Sequence, residues 1–144
     1  MRWNLLKSLR MKKGGEIFMR ELFVYFPPMS FTPQIIPVTI HDEDALLTFL
    51  YITIGCESVE TVHFSSPSDV LIVDEEGLLK DRPQVNLIGS ALSEGYIVGG
   101  VVIAQLGTRN GEPDIVGFPD MVQAAAAASA AKTIAQMRYQ NIVP

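Results

Sequence analysis

The chain has few of the residues that build disulfides, metal sites and catalytic pairs. Its 144 residues include one cysteine, Cys56, and two histidines, His41 and His63. A single cysteine excludes an intramolecular disulfide and a multi-cysteine metal site. We therefore expect a reducing, cytoplasmic setting with no metal and no cofactor.

Long apolar runs are also missing. The most apolar window, residues 96–106, is far shorter than the roughly 20 residues of a membrane-spanning helix. Residues 1–20 begin with charged residues but lack the continuous apolar stretch of about 7–15 residues that a signal peptide contains. The sequence therefore predicts no transmembrane segment and no secretion, and residues 96–106 are predicted to be a buried strand.

Basic residues are scarce beyond the first twenty positions. Residues 1–20 carry six basic groups and one acid, whereas residues 21–144 carry five basic groups and fifteen acids. Because an acidic domain repels phosphate backbones, we do not expect it to bind nucleic acid. Hydrophobic residues make up 48% of the chain and charged residues 19%, a composition that predicts a folded core rather than disorder.

The basic N-terminal stretch raises the question of where translation begins. Codons for Lys-Gly-Gly at 13–15 can contain AGGAGG, the core of a bacterial ribosome-binding site, and Met19 follows at start-codon spacing. We predict that translation starts at Met19 and that residues 1–18 are a basic leader outside the native fold that packs poorly. The alternative is a basic amphipathic leader, with Trp3, Leu6 and Leu9 on one face, that contacts a membrane surface or nucleic acid.

The middle of the chain alternates between strand and helix patterns. Apolar and β-branched runs predict strands over residues 20–26, 34–40, 58–64, 70–74 and 96–106. Pro37 places the second strand at an edge or a bulge. Asp42 is the predicted N-cap of a helix that stops at Gly55, and 85–95 is a possible short helix. The glycines and prolines of 107–119 predict a loop.

The alanine-rich segment 120–140 carries the strongest helix signal. Two small-residue faces are predicted: one contains Met121, Ala125, Ala128, Ala135 and Tyr139, and the other contains Ala126, Ala130, Ile134 and Met137. A polar stripe contains Ser129, Lys132, Gln136 and Gln140. We expect this helix, within residues 119–144, to pack on its own domain or at the interface of a homo-oligomer.

These elements predict an α+β fold. The expected architecture is a small, mostly antiparallel sheet of about five strands, with one or two short helices, over residues 19–118. The C-terminal alanine-rich helix follows it.

The acidic turn after the fourth predicted strand is the main candidate for chemistry. A speculative surface cluster contains Asp74, Glu75, Glu76, Lys80, Arg82 and His63. Paired carboxylates can hold a cation or transfer protons, but calcium-loop spacing is absent, so a solvated turn is the favoured interpretation. Cys56 follows a helix end, which does not lower a thiol pKa, and is predicted to be a small buried hydrophobe.

One stretch also resembles a known family. A strand, a proline-bearing loop, a second strand and a helix near "DALL" are followed by "VETVHFSSPSDVLIVDEEGLLKDRPQVN" and then by "YIVGGVVIA". Residues 19–106 thus resemble a small domain-of-unknown-function family of bacteriophages and plasmid-type mobile elements. The matching positions are Asp74, Glu75, Glu76, Gly77, Leu78, Leu79, Lys80, Pro83 and Asn86. The chain departs from that pattern at Leu78 and Leu79 and in the gap between Pro83 and Asn86. The resemblance implies a small α+β domain of phage or mobile-element origin and no activity, so no catalytic residue is carried over.

The leading functional hypothesis is a non-enzymatic accessory protein that binds a host protein or a small molecule, for example to counter a host defence. One alternative is an oligomeric structural or assembly protein that associates through the C-terminal helix. Another is an enzyme whose site is assembled from Asp74, Glu75, His63 and Arg82, which requires these side chains to line one pocket.

Overall fold

A computed structural model describes the backbone of residues 10–13 and 16–142, and the side chains of residues 20–140. Its strands are β1 (Arg10–Lys13), β2 (Glu16–Phe26), β3 (Gln34–Thr39), β4 (Val59–His63), β5 (Asp69–Asp74), β6 (Val101–Arg109) and β7 (Glu112–Val116). Its helices are α1 (Glu43–Ile54), α2 (Leu87–Ser93) and α3 (Met121–Ile142), with a 3-10 turn at Gly77–Leu79.

The strands form one antiparallel sheet. Its main order is β1-β2-β6-β5-β4, while β3 also pairs with β2 and β7 also pairs with β6. Within the described residues this makes seven strands, rather than the expected five or so, because β1 and β7 were not predicted. The α+β class, the mainly antiparallel sheet and the C-terminal helix are confirmed. Pro37 lies in β3, opposite Leu22, and among the described strands β3 pairs only with β2, as an edge strand allows.

Helices cover both faces of the sheet because its central strands are apolar on both sides. Alternate residues of β2, β5 and β6 point to opposite faces. On one face, Phe23, Ile72 and Val102 pack with the α1 residues Leu46 and Leu50. On the other face, which we call the α2/α3 face, the sheet residues are Leu22, Val24, Phe26, Leu71, Val73, Val101 and Ile103.

Helix α3 packs on its own domain through a stripe of four alanines. Ala124, Ala128, Ala131 and Ala135 are buried against the α2/α3 face. Tyr139 secures the far end, because its hydroxyl donates a hydrogen bond to the Leu87 carbonyl at 2.8 Å. The predicted small-residue faces are confirmed only in part: Ala128, Ile134, Ala135 and Tyr139 pack on the domain. The other members, Met121, Ala125, Ala126, Ala130 and Met137, are exposed. The predicted polar stripe (Ser129, Lys132, Gln136 and Gln140) is exposed as expected.

The predicted loop over 107–119 was wrong. β6 continues to Arg109, and Glu112–Val116 returns as β7, which places Arg109 opposite Glu112. Asn110 and Gly111 join them with φ values of 52° and 79°. Two consecutive positive φ angles are typical of a tight hairpin turn, and Asn-Gly is its preferred sequence. The predicted strand over 96–106 also begins later, at Val101.

The predicted leader falls partly outside the described residues. The structure says nothing of residues 1–9, 14 and 15, or of the side chains before residue 20. The backbone of Arg10–Lys13 pairs with that of residues 16–19, and Arg10 lies opposite Met19. A translation start at Met19 therefore stays a prediction. In the part of the chain that is described, no helix combines the length and apolarity needed to cross a membrane.

Candidate functional site

A cleft opens where several chain segments meet at one end of the sheet. Its volume is about 300 Å³. The ends of β2, α1 and β5 supply Tyr25, Ile54 and Asp74, and the irregular segment 80–84 lies across them. Its complete lining is Tyr25, Pro28, Ile54, Gly55, Asp74, Gly77, Lys80, Asp81, Arg82, Pro83, Gln84, Val98, Gly99 and Gly100.

Asp74 and Lys80 form an ion pair in the wall of the cleft. The Asp74 side chain is 5% exposed, and its Oδ2 lies 2.8 Å from Lys80 Nζ. Asp74 Oδ1 accepts a hydrogen bond from the Glu76 amide at 2.9 Å, and Lys80 Nζ also donates to the Gly55 carbonyl at 2.5 Å. The hydrogen bond with Asp74 raises the pKa of Lys80. The two charges are therefore paired with each other, although the Lys80 side chain is 46% exposed.

Arg82 is the cation of the cleft that is left without a partner. Its side chain makes no ion pair or hydrogen bond within the described part of the chain. Its φ is 56°, and Pro83 follows it directly. A left-handed conformation at a residue other than glycine costs of the order of 1–3 kcal/mol, and such outliers cluster at functional sites. The fold thus holds an exposed guanidinium at the cleft in a costly conformation.

Asn86 holds the back wall of the cleft in place. It is fully buried and caps α2, because its Oδ1 accepts a hydrogen bond from the Gly89 amide at 2.8 Å. Its Nδ2 donates to the Phe26 carbonyl at 3.0 Å and to the Gly99 carbonyl at 2.8 Å. One side chain therefore ties the end of β2 to the loop that precedes β6.

Tyr25 lies against the glycine loop. A Cβ added at Gly100 would be 2.6 Å from Tyr25 Cε1, so the ring needs a glycine at that position. Burial raises the pKa of the Tyr25 phenol. The phenol therefore stays protonated at neutral pH, and it can donate a hydrogen bond.

A second recess of about 430 Å³ lies on the other side of Lys80. It shares Gly55, Asp74 and Lys80 with the cleft and adds Tyr51, Ile52, Cys56, Glu57 and Glu76. Burial, followed by the nearby charge of Asp74, raises the pKa of the Cys56 thiol. The thiol is therefore protonated at neutral pH and a poor nucleophile. Cys56 is half-buried rather than fully buried.

The structure brings together only part of the predicted surface cluster. Asp74, Lys80 and Arg82 line the cleft, and Glu76 lines the second recess. Glu75 instead accepts a hydrogen bond from Ser58 Oγ in the loop before β4.

His63 lies away from this group. It pairs with Val70, whereas Asp74 pairs with Val59 at the opposite end of β4. Four residues of strand span roughly 13 Å. The predicted enzyme site that required Asp74, Glu75, His63 and Arg82 in one pocket is therefore not assembled. Among the residues that the structure describes, no three His, Cys, Asp or Glu side chains come close enough to hold a metal.

Sequence reasoning missed Tyr25, Gln84 and the Gly99–Gly100 loop as parts of the site. The glycines carried a usable signal, because a glycine within an apolar strand pattern is typical of close packing, and Gly100 packs against Tyr25. Comparisons with known protein families, curated proteins and solved structures each find no match for this chain.

Proposed function

We propose that the protein is a non-enzymatic binding protein whose cleft holds a small organic anion. The observation that carries this proposal is the unpaired Arg82 guanidinium at the edge of a concave site of about 300 Å³. That volume lies at the lower end of the range for small-molecule sites, roughly 300–1,000 Å³.

The walls of the cleft suggest how such a ligand would be held. A guanidinium binds carboxylate or phosphate oxygens through two parallel hydrogen bonds. The neutral Tyr25 phenol supplies a further donor. Pro28, Ile54 and Val98 offer apolar contact for the rest of the ligand. Because Asp74 already neutralises Lys80, Arg82 would be the group that contacts the negative charge of the ligand, in a lining that also contains the acid Asp81.

A binding role fits these side chains better than a catalytic one. General acid–base catalysis needs a group that is free to exchange a proton with the substrate. The carboxylate of Asp74 is held by Lys80 and by the Glu76 amide, and the histidine of the predicted cluster lies on β4, away from the cleft.

We further propose a phage or mobile-element origin and a cytoplasmic location. The resemblance of residues 19–106 to a phage-type family supports the origin, and the single cysteine supports the compartment. In a host cell, the bound anion would be a metabolite or a signalling molecule of the host, which the protein would sequester. The neighbouring genes test the origin: phage structural or replication genes beside this one are expected, and an unbroken set of host metabolic genes would contradict it.

Thermal unfolding with added anions tests the binding role. We expect succinate or adenosine monophosphate to raise the midpoint of the wild-type protein, because a ligand that binds only the folded state stabilises it. Arg82→Gly should abolish the rise. Its own free energy of unfolding should stay within about 1 kcal/mol of wild type or increase, because glycine adopts a positive φ without strain.

Lys132→Gln is the matched control, since it removes one exposed positive charge from α3, far along the chain from the cleft segments. It should leave the ligand-induced rise intact. Equal rises in wild type and Arg82→Gly would contradict the proposal, as would a wild-type midpoint that no organic anion changes.

Self-association through α3 is the second candidate function. Its support is the apolar exposure of that helix: Val122 is 69% exposed and Met137 is 59% exposed. We expect Val122→Glu combined with Met137→Glu to convert a dimer to a monomer in light scattering. Ile52→Glu, on the outer side of α1, is the control. A wild-type monomer at millimolar concentration would remove this candidate.

A further inference from the structure

A second pocket lies on the α2/α3 face and shares no residue with the cleft. It opens between α3 and the turn that joins β4 to β5, and its volume is about 190 Å³. Apolar side chains make up most of its wall: Phe64, Leu92, Ile103, Ala127, Ala130, Ala131 and Ile134. The polar groups are Ser65, Ser66 and Asp69.

The alanines of α3 explain why there is space here. Ala127, Ala130 and Ala131 reach only a short way from the helix axis and leave a pocket between the helix and the sheet, with Ile103, which is 1% exposed, in its wall. Ala131 is buried and Ala130 is exposed. In the wall that α3 contributes, Ala131 therefore lies inside the pocket and Ala130 lies at its rim. A larger residue at 130 would therefore fill the opening without entering the core.

Asp69 gives this apolar pocket a negative charge. No ion pair to Asp69 occurs within the described part of the chain, although Ser68 Oγ donates to its Oδ1 at 3.4 Å and the Gln105 side chain also bonds to it. A carboxylate has about four acceptor positions, so these donors leave some unused. Burial raises the pKa of Asp69 because it destabilises the charged carboxylate. A cation bound next to Asp69 would stabilise that charge.

We infer that this pocket is a binding site for a small alkylammonium ligand: the ammonium group pairs with Asp69, and the alkyl chain fills the space lined by Phe64, Ile103 and the α3 alanines. The volume limits the ligand to a short chain, because it is below the range of about 300–1,000 Å³ for larger ligands. Charge complementarity selects a cation, since Asp69 is the charged residue among those that line the pocket.

An NMR titration of the full-length protein with n-butylammonium tests this site, with n-butanol as the neutral probe of equal length. We expect saturable amide shifts around Asp69, Ala127 and Ala131. Asp69→Asn should weaken butylammonium binding about tenfold, because it removes one charge-assisted hydrogen bond, and should leave butanol binding unchanged. The Asp69→Asn variant should also fold normally, because burial destabilises the carboxylate charge that the substitution removes.

Ala130→Leu should abolish binding by filling the opening, whereas Ala126→Leu, an exposed alanine of the same helix outside the pocket, should not change it. The proposal is overturned if butanol binds as tightly as butylammonium, if Asp69→Asn keeps the wild-type affinity, or if no saturable shift occurs. A lysine-containing peptide that binds where butylammonium does not would overturn it as well.

Discussion

Replacing Asn86 by alanine is expected to lower the free energy of unfolding by about 3–5 kcal/mol. The side chain is fully buried, and it makes hydrogen bonds to the Phe26 carbonyl, the Gly99 carbonyl and the Gly89 amide. Its loss removes a donor from the Phe26 and Gly99 carbonyls and an acceptor from the Gly89 amide, in surroundings that are buried at Phe26 and Gly89 and partly buried at Gly99. It also removes the cap of α2. Each unsatisfied buried group costs about 1–3 kcal/mol before the structure relaxes.

Urea unfolding of Asn86→Ala and Asp42→Ala separates this role from ordinary capping. Asp42 is the N-cap of α1, but it is exposed, and its Oδ1 accepts from the Ala45 amide at 2.8 Å. Asp42→Ala should cost only about 1 kcal/mol. If Asn86→Ala and Asp42→Ala lower the free energy of unfolding by the same amount, Asn86 stabilises the protein only as the N-cap of α2.

Asn86→Asp is a sharper variant of the same experiment. It keeps the oxygen that caps α2 and replaces the amide donor with an acceptor that faces two carbonyl oxygens. We expect a loss comparable to that of Asn86→Ala, because a buried carboxylate next to acceptors is poorly compensated. A stability near that of wild type would show that the donor contacts to Phe26 and Gly99 contribute little.

Replacing Arg109 by methionine is expected to cost about 3 kcal/mol. The side chains of Arg109 and Glu21 are each 14% exposed, and Arg109 Nη1 lies 2.5 Å from Glu21 Oε2. Arg109 Nε lies 2.9 Å from Asp114 Oδ2. Glu21 also accepts a hydrogen bond from the Gly117 amide at 2.9 Å. This cluster joins β2 to the β6–β7 hairpin, and without Arg109 two carboxylates face each other.

The matched control for Arg109 is Arg138→Met. Arg138 pairs with Glu94, whose side chain is 72% exposed, and exposed pairs contribute roughly 0–1 kcal/mol. Combining Arg109→Met with Glu21→Gln should restore part of the lost stability, because it removes a carboxylate that has no partner. Urea unfolding of the wild type, the three single variants Arg109→Met, Glu21→Gln and Arg138→Met, and the double variant measures both effects. Additive losses in the double variant would contradict a coupled pair.

The errors at the level of the fold have specific physical causes. Glycine and proline usually interrupt strands, which is why the sequence predicts a loop over 107–119. Pro113 nevertheless lies in β7, which within the described residues pairs only with β6. The Asn110–Gly111 pair carried the correct signal. In α3, hydrophobic periodicity does not identify the buried face, because many positions are alanine. The buried face, which contains Ala124, Ala128, Ala131 and Ala135, is determined by packing against β2 and α2.

The site was only partly predictable for a different reason. Asp74, Lys80 and Arg82 are close in sequence, so a turn after a strand was enough to place them in one region. Tyr25 and Gly100 are far apart in sequence and meet because Tyr25 pairs with Val102 across β2 and β6. Strand register decides that contact, and register follows from the complete sheet rather than from any local pattern. The left-handed backbone of Arg82 is likewise not visible in its local sequence.

Native mass spectrometry of the protein purified from its natural host cells tests whether the cleft binds an organic anion. The wild-type protein is predicted to carry an added mass that corresponds to one small anionic compound, and Arg82→Gly prepared in parallel is predicted to lack it. A wild-type protein at its sequence mass alone, or an identical added mass on both proteins, would contradict the assignment of the cleft as a binding site for an organic anion.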